Sequence, residues 1–262
     1  MGWAILIWQG LLFYAVLILL AVMSLIWNLV ALVLHPLMGE ERGRRIGRAG
    51  ISYGYWLFWT ISDAVGVMRL DVKALDRLKD EPGGLVVVAN HPTLLDGVLL
   101  ASRLPRASCI MSSKLLGNIF IGAGARFARY ICVDQPLSMF KDSVTDLKLD
   151  AQLIIFPEGT RTLGKRVNKF RPGVTLIAKK AAVPIQTVFI ETGSSFLTKG
   201  WPILKAPPLP IDIKVRLGKR FEAIEDHGAL LQEIEDYFVT EMRLKDMPAV
   251  ETEPGLQEVE GT

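Results

Sequence analysis

The run Asn90-His91-Pro92-Thr93-Leu94-Leu95-Asp96 sets an imidazole five residues ahead of a carboxylate. At a junction between a loop and a helix, that spacing lets the acid turn back onto the ring. The Asp would fix one tautomer of His91 and stabilise the imidazolium, and the free ring nitrogen would take a proton from a hydroxyl. Alone the pair is weak, because His-x4-Asp arises by chance in about one chain in seven of this composition. The same residues also fit a structural role, with Asp96 a favourable first-turn acid and His91 a hydrogen-bonded loop residue. The setting adds weight: the pair directly follows the apolar run Leu85-Val86-Val87-Val88-Ala89.

A second polar cluster, Phe156-Pro157-Glu158-Gly159-Thr160-Arg161, follows another apolar run, Leu153-Ile154-Ile155. Arg161 can grip a phosphate through a two-pronged fork. Glu158 can accept from a hydroxyl or hold Arg161, Gly159 permits a tight turn, and Thr160 can donate or cap. The structural alternative is a plain Glu-Arg pair at a strand end. Beyond it, Lys165, Arg166, Lys169 and Arg171 either extend an anion site or are solvated loop charges. No Gly-x-Ser-x-Gly turn is present, and neither Cys109 nor Cys132 has cationic neighbours, so a base here would act on a substrate hydroxyl or amine. His35, His91 and His227 lack metal-ligand spacing, which argues against a metal site.

Two clusters at strand ends require a sheet that brings those ends together. Strands are expected at 85–89, 108–112, 130–133, 153–156, 185–190 and 212–217, and helices at 94–103, 115–128, 137–149, 173–182 and 226–243. This alternation predicts an α/β fold, a mostly parallel sheet flanked by helices. Residues 193–210 read as a Pro-rich loop with an exposed Trp201, and Thr93 is expected to cap the helix after His91.

The chain has 262 residues and is half hydrophobic. Much of the excess lies in Trp3 to Leu34, which contains no charge and is long enough to cross a hydrocarbon core of about 20 helical residues. A signal peptide is disfavoured by the absence of a basic start and of a small-x-small cleavage site. Arg42, Arg44, Arg45 and Arg48 follow, which places the catalytic part on the cytoplasmic face of an inner or plasma membrane. Gly39, Gly43 and Gly47 have the spacing of a helix-packing face, though the charges around them argue against a buried membrane interface. Residues 51–68 are a second apolar stretch rich in Tyr and Trp, so the N-terminal helices either include one span or lie together in one leaflet. Three regions follow: membrane-anchoring helices over 1–70, a catalytic domain over 71–245, and an acidic, disordered tail over 246–262. The net charge is +3, and setting aside the tail's five acids leaves +8 on the body, a balance suited to phospholipid headgroups or phosphorylated substrates. No dense basic helix face points to nucleic acid. The two cysteines lack C-x-x-C spacing and fit a reducing compartment.

Taken together and in this order, Asn90-His91-Pro92-x-x-x-Asp96 and Phe156-Pro157-Glu158-Gly159-Thr160-Arg161 resemble the motifs of the 1-acylglycerol-3-phosphate (lysophosphatidic acid) acyltransferase family of glycerolipid acyltransferases. The likeness runs from about residue 70 to 220, and the apolar N-terminal helices also fit. The resemblance implies a membrane-bound enzyme that moves an acyl group from acyl-CoA or acyl-carrier protein to a lysophospholipid hydroxyl. By the same resemblance His91 is the general base, Asp96 its partner, and Glu158, Gly159, Thr160 and Arg161 bind the glycerol phosphate. No metal or bound cofactor is implied; the thioester is a co-substrate.

Two stretches depart from the family pattern. The family's Gly-x-Ile-Phe-Ile-x-Arg corresponds to Arg129-Tyr130-Ile131-Cys132-Val133-Asp134-Gln135, where Gln135 replaces a phosphate-contacting Arg and Arg126 or Arg129 is left to substitute. The family's Val-Pro-Ile-x-Pro becomes Val183-Pro184-Ile185-Gln186-Thr187. A non-phosphate lipid acceptor therefore stays open, as does a non-catalytic lipid-binding role on the same fold.

Overall fold

Leu85-Val86-Val87-Val88-Ala89 has no polar position, so a strand made of it needs cover on both faces. The computed structural model describes residues 2–162, 167–202 and 205–246. In it this run forms β2 (Leu85–Ala89), with all five residues fully buried. The remaining strands are β1 (Met68–Asp71), β3 (Ala107–Met111), β4 (Ile131–Cys132), β5 (Gln152–Ile155), β6 (Ile185–Thr192) and β7 (Ile211–Phe221). They form one sheet in the order β1-β7-β6-β2-β5-β3-β4. Strands β2 to β6 run parallel to one another, whereas β7 is antiparallel to β6 and parallel to β1, so two strands at one edge are reversed.

The helices are α1 (Gly2–Leu34), α2 (Glu40–Ala64), α3 (Asp76–Lys79), α4 (Asp96–Arg103), α5 (Ser113–Leu116), α6 (Gly122–Phe127), α7 (Pro136–Lys148), α8 (Gly173–Ala181) and α9 (His227–Asp246). Alternate residues of the central strands point to opposite faces. Val87, Ala89, Ile154 and Val188 pack with α1, α2 and α4. Val86, Val88, Leu153 and Ile155 pack with α7, α8 and α9. This is the expected mostly parallel sheet between helical layers.

Several boundaries differ from the expectations. β1 begins at Met68, so a division at residue 70 cuts a strand; its four residues pair with β7 from Met68↔Ile211 to Asp71↔Lys214, too short a run to stand out in the sequence. The helix expected over 115–128 breaks into α5 and α6. Gly117 ends the first, and Asn118 supplies Oδ1 to the Phe120 N–H and its carbonyl to the Gly122 N–H. Residues 39–50 and the aromatic stretch after them form one helix, α2. Gly164, Lys165, Arg166 and the acidic tail from Met247 onward lie outside the described residues.

Gly43 and Gly47 do form a packing face, but against protein. A Cβ at Gly47 would come 2.6 Å from the Ala128 nitrogen, so only glycine lets α2 approach the end of α6 this closely. Arg48, expected as a membrane-flanking charge, is buried beside them. Its Nη2 donates to both Asp146 oxygens, at 2.8 and 2.7 Å, and its Nε donates to the Ala128 carbonyl. Arg44 reaches the same Asp146 at 3.5 Å. Arg42 and Arg45 remain exposed.

Along α1 one face is docked from Phe13 to Ala31. Phe13 and Val16 are buried in the main core, Leu20, Met23 and Trp27 pack against it, and Asn28 and Ala31 are buried further along. Asn28 Oδ1 accepts from the Gly124 N–H, and its amide donates to the Ile119 carbonyl. Trp3, Ile7, Leu11, Ile18, Leu25, Leu29 and Val33 are exposed on the opposite side.

Replacing Asp146 with Ala would strand the buried Arg48 guanidinium. Removing one partner of a buried ion pair costs about 3–5 kcal/mol. Denaturant unfolding of the detergent-solubilised protein is expected to show a loss of that size for Asp146→Ala; a loss under about 1 kcal/mol, the level of a surface pair, would contradict it.

Candidate active site

β2 and β5 are adjacent and parallel, with Val88 opposite Ile155. Their exits therefore place Asn90-His91 and Pro157-Glu158 side by side. Asn90 continues the sheet with its side chain: its Nδ2 donates to the Ile190 carbonyl at 2.8 Å, and its Oδ1 accepts from the Ile190 N–H at 2.7 Å. Thr162 joins the two motifs. Its N–H donates to the His91 carbonyl at 2.7 Å, its Oγ1 accepts from the His91 N–H at 3.1 Å, and its hydroxyl donates to Glu158.

Pro92 turns the chain away from the sheet, and Asp96 then opens α4. Its carboxylate points backward to close the loop on His91, with His91 Nδ1 2.8 Å from Asp96 Oδ2. Thr93 does not cap the helix as expected. Its N–H donates to Asp96 Oδ2 at 2.7 Å and its hydroxyl to Asp96 Oδ1 at 2.6 Å, so it steadies the carboxylate instead. Burial pushes the Asp96 carboxyl above its usual range, while the donors from His91 and Thr93 pull it back. Three donors on a buried carboxylate favour the tautomer in which Nδ1 carries the proton.

The His91 ring stacks on Phe156, with centroids 4.0 Å apart and planes at 19°. It is partly exposed, and among the described residues Nε2 has no hydrogen-bond partner. The ring is thus clamped on one nitrogen and one face, with the other nitrogen open.

The second motif differs from the sequence expectations. Glu158 is buried, and its oxygens accept from Thr162 and from both the backbone and the side chain of Asn168, so among the described residues it does not pair with Arg161. It is a brace for the loop. Arg161 is held instead by carbonyls: Nη1 donates to Leu197 at 2.8 Å and Thr198 at 3.1 Å. A guanidinium has five N–H donors, so the three on Nε and Nη2 stay available to an anion. Gly159 sits at φ +67, and a Cβ there would collide with the Arg171 guanidinium, which brings a second cation to the turn. Thr160 is exposed.

Arg126 and Arg129 are not joined to this cluster. Arg126 donates to the Leu116 carbonyl, and Arg129 faces Glu40 at 4.0 Å. Arg129 precedes β4, at the entry end of a strand whose exit lies on the His91 side. Gln135 is exposed at that exit. Trp201 is half-buried, its Nε1 donating to the Lys205 carbonyl, rather than exposed. Burial pushes the Cys109 thiol up to about 12, which leaves it inert at neutral pH. Sequence reasoning passed over Thr162 and Asn168, whose roles are purely hydrogen-bonding.

A family model described as Acyltransferase matches residues 69–191, which contain both motifs. A 1-acyl-sn-glycerol-3-phosphate acyltransferase of Pseudomonas aeruginosa is 25% identical over 191 residues, covering 70% of this chain and 72% of that one. A protein of the same name from Helicobacter pylori is 34% identical over 136 residues, or 48% and 56% of the two chains. The human lysophospholipid acyltransferase LPCAT4 is 31% identical over 147 residues, or 52% of this chain and 26% of that one. The crystal structure of PlsC, the 1-acyl-sn-glycerophosphate acyltransferase of Thermotoga maritima, superposes with a TM-score of 0.71 at 18% identity, over 93% of this chain and 97% of that one. With its paired motifs set at neighbouring strand exits, residues 69–191 are an acyltransferase domain, and the chain is similar to 1-acyl-sn-glycerol-3-phosphate acyltransferases.

Proposed function

We propose that this acyltransferase moves a fatty acyl group from the thioester of acyl-CoA or acyl-carrier protein to the free hydroxyl of a lysophospholipid, with 1-acylglycerol-3-phosphate the first acceptor to test. The observation that carries this reading is the His91–Asp96 contact of 2.8 Å at Nδ1, which leaves Nε2 open. His91 Nε2 removes the acceptor's hydroxyl proton as the oxygen attacks the thioester carbonyl. The tetrahedral oxyanion collapses, the C–S bond breaks, and the departing thiolate takes the proton from the imidazolium. Asp96 keeps Nδ1 protonated and offsets the charge on the ring during the step. Arg161 meets the acceptor phosphate through Nε and Nη2, with Arg171 beside it at the turn. No metal or resident cofactor enters this scheme.

The exposed side of α1 supports a membrane setting. It is apolar from Trp3 to Val33, and Ile119 and Phe120 are exposed where Asn28 ties the α5–α6 segment to it. Since the other side of α1 is docked from Phe13 to Ala31, about 27 Å of helix, the reading is a helix lying in one leaflet with the domain against it. Arg42 and Arg45, exposed beyond its end, favour the cytoplasmic leaflet.

Gln135 favours a second reading. An uncharged amide at that strand exit suits a lysophospholipid whose phosphate is already esterified to a larger headgroup.

Membranes bearing wild type, His91→Ala, Asp96→Asn or Arg161→Ala are to be assayed with labelled acyl-CoA and acyl-carrier protein against a panel of lysolipids. His91→Ala is expected to lower transfer by about 10²–10⁴-fold, the contribution of a general base. Transfer that survives it at the wild-type rate would remove His91 from the chemistry. Asp96→Asn is expected to lower kcat with KM little changed, since it disturbs the tautomer and not the acceptor site. Losing Arg161 removes charge-assisted hydrogen bonds worth about 1.5–3 kcal/mol, so Arg161→Ala is expected to raise KM for lysophosphatidic acid about 10–100-fold. An unchanged KM, with a different lysolipid as the best substrate, would favour the second reading.

A further inference from the structure

On α2 the exposed positions include Ala49, Tyr53 and Trp56, a stripe with helical spacing. Tyr53 is 64% exposed and Trp56 39%, and their rings stack at 5.7 Å and 28°. A cleft of about 380 Å³ opens between this pair, Asp76 and Lys79 of α3, and Ser102 and Arg103 at the end of α4. Arg103 Nη1 lies 3.4 Å from Asp76 Oδ1, yet its buried Nε–H has no partner among the described residues. Lys79 is exposed and has no ion-pair partner among them. The two cations exceed the one carboxylate, so the cleft carries a net positive charge.

Its place in the fold excludes the catalytic centre. Asp76 and Lys79 precede β2, and Arg103 precedes β3, so the cleft lies where the parallel strands begin. His91 lies where β2 ends, a strand of about 17 Å away. The cleft does share a layer with α1: α1, α2 and α4 cover the same sheet face.

We propose that this cleft binds the headgroup of an anionic diacyl phospholipid from the bilayer, separately from the substrate lipid. The phosphate meets Arg103 and Lys79. Tyr53 and Trp56 take the interfacial position favoured by aromatic rings, against the glycerol and the first methylenes. The proposal rests on the membrane reading of α1.

Native mass spectrometry of the full-length protein in detergent, titrated with phosphatidylglycerol or phosphatidylcholine, tests it. Wild type is expected to retain phosphatidylglycerol preferentially. Each cation near an anionic headgroup contributes about fivefold in affinity. Lys79→Gln with Arg103→Gln is therefore expected to cut the preference by about 25-fold while acyl transfer to a lysolipid in detergent stays at the wild-type level. Tyr53→Ala with Trp56→Ala is expected to weaken retention of both lipids. Lys180→Gln, on the opposite helical layer, serves as the charge control, and Arg161→Ala reports lipid held at the catalytic centre. A preference unchanged in the Lys79/Arg103 variant, or lost equally in Lys180→Gln or Arg161→Ala, overturns the proposal. The membrane reading fails separately, if wild type does not bind phosphatidylcholine vesicles at all.

Discussion

The parallel pairing of β2 with β5 is the constraint on which the site depends. It brings together two loops whose motifs are far apart in sequence, and the register Val88↔Ile155 sets them at one level. Hydrogen bonds between strands end at the last residues of the ladder. Thr162 continues them beyond it, exchanging backbone-level bonds with His91 and handing its hydroxyl to Glu158. Asn90 does the same toward β6 through Ile190. The imidazole therefore stands on a junction tied to both neighbouring strands. Its orientation is set by buried groups rather than by a free loop, which is what the base role proposed for it requires.

How much of this could be read from the chain depends on the kind of signal. The central strands were legible because a strand buried on both faces must be an unbroken apolar run, and Leu85–Ala89 and Leu153–Ile155 are such runs. The His91–Asp96 contact was legible because spacing across one turn nearly fixes the distance. The partners of Glu158 and Arg161 were not. Both lie on one loop with opposite charges, yet each is held by a segment that sequence does not place beside it: Asn168 for the acid, Leu197 and Thr198 for the base. Arg48 misled in the same way. Its type and position suit a membrane flank, and only the arrival of Asp146 from α7 turns it into a buried tie. Arg129 was named for its charge, and charge says nothing about which end of β4 it occupies.

α1 shows a limit of hydropathy. Its docked and exposed faces are both apolar, so no helical periodicity separates them. The docked face differs in shape and in isolated polar groups. Trp27 fits between Gly50 and Gly124, positions where a Cβ would overlap its ring, and Asn28 satisfies backbone groups at the start of α6. Such contacts mark a helix fitted to a folded partner. Lipid alone would reward neither the glycines nor the amide.

The same fit links α1 to the site. Leu197 has φ +57, a conformation that is costly for a branched residue and that persists only where its surroundings impose it. Its carbonyl accepts from the Leu94 N–H on the His91 loop and from Arg161. Its neighbour Phe196 lies edge-on to Phe13 of α1, with centroids 5.2 Å apart. One buried loop thus fixes the guanidinium, braces the turn that carries Asp96, and rests on the apolar helix. A shift of α1 at Phe13 would have to pass through Phe196 to the carbonyl that aims Arg161. The position of the cation relative to His91 is therefore set by how the helix docks, and the N-terminal segment is part of the site's scaffold.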